Sequence, residues 1–177
     1  MESPKSPQQI WDKLSAARTA YLAAVSPHYD EVLWDVAQRA ENTGSLGKAD
    51  LGALVVWKRL SAQTPWASEL MSLPDSNVRS VTARAVQAVH NSGVSRAEAA
   101  KAGRGIVWEL PGFRTGDALA SAILTAAAPT RMAVYDRRVQ QALGDLDLEL
   151  TPAPGRYSRY MDLLDHLLAE GGQQAAG

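Results

Sequence analysis

Cysteine is absent from the 177 residues. That excludes disulfides, zinc sites built on thiolates and a cysteine-held iron–sulfur cluster. Long apolar runs are missing too, nothing approaching the roughly 20 residues that span a bilayer. Met1-Glu2-Ser3-Pro4 opens no signal peptide, so a cytoplasmic chain with no membrane partner is expected. The only three histidines, His28, His90 and His166, lie far apart without metal-ligand spacing. They read as surface or capping residues, and no metal or cofactor is expected. Positive charge is not in excess either: the formal net charge is −1, whereas a phosphate-binding surface is basic.

What is present points to one globular domain. Hydrophobic residues make up 46% and charged residues 21%, a balance that supports a buried core rather than disorder. The domain is expected over residues 8–170, with residues 1–7 and 171–177 as loose ends. Charge is unevenly spread. Between Arg79 and Arg138 nine bases face four acids, an excess of five in one third of a chain that is acidic elsewhere. Such an excess is either a local anion-binding footprint or a set of solvated helix faces.

The apolar pattern is helical almost throughout. Ile10 to Val25 is a first amphipathic helix. Ser26-Pro27 pairs a capping side chain with proline at a helix start, and opens a second helix carrying Val32, Leu33, Val36 and Ala40 up to Gly44. Lys48 to Ala62 is a third, nearly all apolar from Leu51 to Trp57 and so central. Thr64-Pro65 starts a short helix to Leu70, Pro74-Asp75 another that stops at Asn91-Ser92-Gly93. Ser95 to Glu98 is a capping box for a helix ending near Trp108. A helix follows Asp136 to Leu143, and Arg156 to Glu170 is the last. No strand and no repeat is found, so the fold class is all-α, a compact helical bundle.

One stretch joins specific geometry to specific chemistry. Leu110-Pro111-Gly112-Phe113-Arg114-Thr115-Gly116-Asp117 is a tight turn that feeds an alanine-rich helix through Leu124, and Asp136 then stands before the next helix. Backbone N–H groups from Phe113 to Gly116 can hold a phosphate, with Arg114 adding charge; the alternative is a turn that only joins two helices.

This stretch resembles the helix-hairpin-helix and aspartate segment of the HhH-GPD superfamily, the endonuclease III-like and 8-oxoguanine-type DNA glycosylases. The likeness lies in Leu110-Pro111-Gly112-Phe113, in Ala122-Ile123-Leu124, and in Asp136 after Ala133-Val134-Tyr135 at the family's spacing from Leu124. In that family the two glycines are separated by one residue, whereas Gly112 and Gly116 enclose three. The resemblance implies a small cluster-free member of the superfamily with a helix-hairpin-helix motif, and Asp136 as its catalytic aspartate. The position of the lysine that bifunctional members use falls at Ala118, which implies base removal without strand cleavage.

On the residues alone, Asp136 is either an N-cap or a reactive carboxylate. A carboxylate fixed beside C1′ of a nucleoside stabilises the oxocarbenium-like charge that builds up as the base leaves. The helix behind Asp136 favours its ionised form by about 0.3–1 kcal/mol, and Arg137 and Arg138 follow directly. An extruded base also needs aromatic or apolar walls and a few polar groups. Trp57, Lys58 and Tyr135 are the expected pocket residues, with Trp66 and Trp108 as further aromatic candidates; each tryptophan has a plain core reading beside it. Gln63 matches weakly a residue that fills the gap left by a flipped base. The expected DNA contacts are Gly112, Arg114, Gly116, Arg137 and Arg138. Two functions stay open: a monofunctional DNA glycosylase acting on a modified or mispaired base in double-stranded DNA, and a non-catalytic DNA-binding protein of the same fold. No obligate protein partner is evident.

Overall fold

The computed structural model describes residues 5–174, with side chains as far as Gly171. Among these residues the protein is all-α. Its helices are α1 (Pro7–Ala24), α2 (Glu31–Thr43), α3 (Lys48–Trp57), α4 (Pro65–Ser72), α5 (Asp75–His90), α6 (Arg96–Val107), α7 (Ala118–Ala127), α8 (Arg137–Asp145) and α9 (Arg156–Gln174). Among the described residues, no helix is long and apolar enough to cross a membrane.

Reciprocal capping bonds set the starts of α1 and α6. Ser6 Oγ accepts the Gln9 N–H at 3.3 Å while Gln9 returns a bond to the Ser6 N–H at 2.8 Å. Ser95 and Glu98 do the same for α6, at 3.2 and 3.0 Å. Ser6 and Pro7 thus belong to α1 instead of a loose leader, of which Met1 to Pro4 lie outside the described residues. At the other end α9 runs through Gly171 to Gln174, where fraying was expected. Packing explains this: Gly171 lies flat on the Trp11 indole, where a Cβ would overlap the ring, and Trp11 Nε1 donates to Leu167 O at 3.2 Å. Residues 175–177 of the expected tail lie outside the described residues.

Two other boundaries differ from the sequence pattern. Ser26-Pro27 opens a turn, not a helix: Ser26 Oγ accepts the His28 N–H at 3.3 Å and the Tyr29 N–H bonds Ser26 O at 2.9 Å, so α2 starts only at Glu31. α3 stops at Trp57 and does not reach Ala62. Arg59 sits in the left-handed region (φ 53°), and Leu60 N–H→Val55 O and Arg59 N–H→Val56 O, both 2.9 Å, close a Schellman motif. Arginine occupies the position where glycine is usual.

The core is built on α7, which is buried from Leu119 to Ala127. Its small residues let neighbours approach. Gly103 of α6 is one such contact: a Cβ there would stand 2.9 Å from Val89 and 3.0 Å from Leu124. Leu46, Leu51, Leu54, Ile123 and Leu124 are fully buried around it, each contributing about 1.5–3 kcal/mol of apolar burial. Asp50 is buried at the start of α3, where it accepts from Arg39 Nε at 2.6 Å and from the Gly47 N–H at 2.8 Å. α1 is attached differently, through Ile10 and Leu14 against Leu146, Leu163 and Leu167; from Ser15 to Ala24 every residue is exposed.

Candidate active site

Ser121, buried in α7, sets the approach to Asp136. Its Oγ accepts the Tyr135 N–H at 2.9 Å and donates to Tyr135 O at 3.1 Å, so one hydroxyl satisfies both backbone groups of the preceding residue. Tyr157 OH adds a bond to Ala133 O at 3.0 Å. The segment between α7 and α8 is thereby fixed to the core, and Asp136 emerges from it as the N-cap of α8 in extended conformation (φ −144°).

The Asp136 carboxylate is held on both oxygens. Oδ1 accepts the N–H groups of Arg138 at 2.9 Å and Val139 at 3.0 Å; Oδ2 pairs with Lys58 Nζ. Burial pushes its pKa up, but the Lys58 hydrogen bond and the two backbone donors outweigh burial and hold it below the usual carboxylate range. Asp136 is therefore ionised at neutral pH. Three of its roughly four acceptor directions are used, leaving one.

Asp136 lines two clefts at once. The first, about 530 Å³, lies toward the turn and includes Leu60, Trp66, Gly112, Gly116 and Arg156. The second, about 500 Å³, includes Tyr21, Tyr29, Asp30, Trp57, Lys58 and Arg138. The expected pocket trio is divided between them. Trp57 and Lys58 line the aromatic cleft, with Lys58 Nζ 5.6 Å from the Trp57 ring centroid. Tyr135 turns inward instead: its ring packs 4.9 Å from that of Tyr160, is 2% exposed, and borders only the turn-side cleft. Burial raises its pKa, and its hydroxyl has no hydrogen-bond partner among the described residues.

In the turn, Pro111 and Gly112 are the two central residues and the Phe113 N–H bonds Leu110 O at 3.3 Å, with Gly112 at φ 90° as a type II turn requires. The Phe113 N–H is thus spent within the turn and is not offered to a phosphate; its ring is buried in the core. The N–H groups of Arg114, Thr115 and Gly116 make no hydrogen bond among the described residues. Gly116 (φ 70°) presents its carbonyl to Arg104 Nη2 at 2.8 Å. Asp117 beside it takes Arg104 Nε at 2.9 Å and Arg156 Nε at 3.6 Å, tying the end of the turn to α6 and α9.

Four arginines are exposed and make no salt bridge among the described residues: Arg59 and Arg138 at the aromatic cleft and Arg137 at the turn-side cleft, both shared with Asp136, and Arg114 in the turn. The other candidates fall elsewhere. Trp66 packs on Gly112, and exposed Trp108 borders a separate cleft with Lys101 and Pro152. Gln63 is exposed, its N–H on Ser61 Oγ at 3.2 Å. His28 pairs with Glu31, His90 bonds Ala127 O at 2.8 Å and His166 bonds Asp162 O at 2.8 Å.

Sequence reading missed Asp30, Tyr21, Tyr29 and Arg59. Asp30 was hidden by the misplaced start of α2, because a helix opening at Ser26-Pro27 places it inside the helix and not at the N-cap. It is instead the α2 N-cap, yet its carboxylate makes no capping bond. Oδ1 accepts from Trp57 Nε1 at 3.0 Å and Oδ2 from Tyr21 OH at 3.1 Å. Comparison of the chain with protein-family models, with curated proteins and with solved structures gives no match.

Proposed function

We propose that the protein is a monofunctional DNA glycosylase of the HhH-GPD type, with α6, the turn and α7 as its helix-hairpin-helix and double-stranded DNA as its partner. The observation that carries this reading is the position of Asp136: an ionised carboxylate between two clefts that also hold Arg59, Arg137 and Arg138, exposed arginines with no salt bridge among the described residues. Unpaired arginines in a chain of net charge −1 favour a polyanionic ligand at this one place. The free N–H groups of Arg114 to Gly116 and the Arg114 side chain suit a phosphate, and a base turned out of the stack fits between the aromatic walls.

In the reaction the C1′–N bond breaks, the base leaves with the electron pair and takes up a proton, and water gives its hydroxyl to C1′ and its other proton to solvent. The Asp136 carboxylate stabilises the positive charge on the sugar in between. Lys58 keeps that carboxylate charged and oriented. No residue is assigned to strand cleavage, since Ala118 stands at the lysine position.

The test is incubation with duplexes carrying uracil, oxidised purines, alkylated bases or bulky modified cytosines, followed by hot alkali. Alkali-dependent breaks that disappear in Asp136→Asn support the reading. One observation favours a second one, a DNA-binding protein without chemistry: Lys58 pairs with Asp136 Oδ2, the oxygen that the α8 backbone leaves open. Salt-sensitive binding with no breaks on any substrate decides for that alternative.

A further inference from the structure

Asp30 is an acid whose local duty has been given up. An N-cap aspartate ordinarily spends its carboxylate on the first N–H groups of its helix, worth about 0.5–2 kcal/mol. Asp30 instead extends into the aromatic cleft, where Trp57 Nε1 (3.0 Å) and Tyr21 OH (3.1 Å) orient it. The cleft is walled by the Trp57, Tyr29 and Tyr21 rings and holds Asp136 as well. Resting on the excision reading, we propose that Asp30 reads the edge of the base, and that the base is neutral and presents two adjacent N–H donors, as the N1–H and 2-amino groups of a guanine ring do.

The chemistry decides between bases. Two of the roughly four acceptor directions of the carboxylate are used, and the two left over match a pair of neighbouring donors. An ionised carboxylate accepts only, so it discriminates against uracil and thymine, whose edge is a single N–H between two carbonyl oxygens. A cationic alkylated base would also suit aromatic walls. The cleft opposes it, because Lys58, Arg59 and Arg138 outnumber Asp30 and Asp136 there.

The test reads binding without catalysis. The intact chain is titrated calorimetrically with dGMP, dIMP and TMP; dIMP differs from dGMP by the 2-amino group alone, so phosphate contacts cancel. The expected result is dGMP bound at least tenfold more tightly than dIMP or TMP, with that preference lost in Asp30→Asn. Trp108→Phe, in the separate cleft beside Lys101 and Pro152, should keep the preference. Equal binding of the three nucleotides, no measurable dGMP binding at millimolar concentration, a preference that survives Asp30→Asn, or one lost in Trp108→Phe overturns the assignment. The two readings fail separately. A chain that prefers dGMP through Asp30 but frees no base from any duplex is not a glycosylase, whereas one that frees bases and binds the nucleotides alike has no edge reader in Asp30.

Discussion

The hydroxyl of Ser121 clamps Tyr135 by both its backbone groups, at 2.9 and 3.1 Å, and so fixes the residue directly before Asp136. Ser121→Ala leaves a buried N–H and C=O without partners, which costs about 1–3 kcal/mol. A melting temperature several degrees lower, with base release reduced more than DNA binding, is the expected outcome. Unchanged stability would mean that the clamp contributes nothing.

Lys58 governs the pH response. The folded-state pKa of Asp136 is lowered, so its contribution to stability is present above the unfolded carboxylate range and lost as pH falls through the lowered value. In Lys58→Met the acid limb of base release should move to higher pH and the low-pH stability loss should diminish. A pH–rate profile and acid denaturation midpoints check both; an acid limb that stays in place refutes the coupling.

Arg59 is held at φ 53° where glycine is conformationally free. Arg59→Gly should therefore leave stability unchanged or raise it by up to about 1 kcal/mol. If Arg59 meets a phosphate, the same substitution lowers the slope of log affinity against log salt by about one unit. Denaturant midpoints and salt titrations of duplex binding separate the two effects, and loss of stability would contradict the strain argument.

The two glycines of the turn should respond differently to alanine. At Gly112 a Cβ would run into the Trp66 indole, and φ is 90°. At Gly116 the space is open and only the φ of 70° opposes a side chain, a cost of about 1–2 kcal/mol. Gly112→Ala is expected to unfold more easily than Gly116→Ala in thermal melts. Equal losses would place Trp66 away from the turn.

The helical class, the capping boxes at Ser95 and the turn at Pro111-Gly112 were legible because each is a local signal. Asp136 was legible for the same reason: a helix start is written in adjacent residues. The rest depends on partners distant in sequence. Nothing near Asp30 announces Trp57, nothing in an alanine-rich helix marks Ser121 as a clamp, and nothing in the sequence shows that the Tyr135 ring packs on Tyr160 and away from the aromatic cleft. Helix ends were misread where tertiary contacts overrode pattern. Arg59 halts α3 in a conformation that its side chain disfavours, and Gly171 continues α9 because Trp11 needs it bare.

Tyr21 stands on the half of α1 that nothing in the core supports, yet it forms one wall of the aromatic cleft. The other walls belong to the packed body, while this one is anchored at its root by Ile10, Trp11 and Leu14 and at its far end by the Tyr21 hydroxyl on Asp30. The position of this wall is thus set by the same carboxylate that lines the cleft, and not by the core.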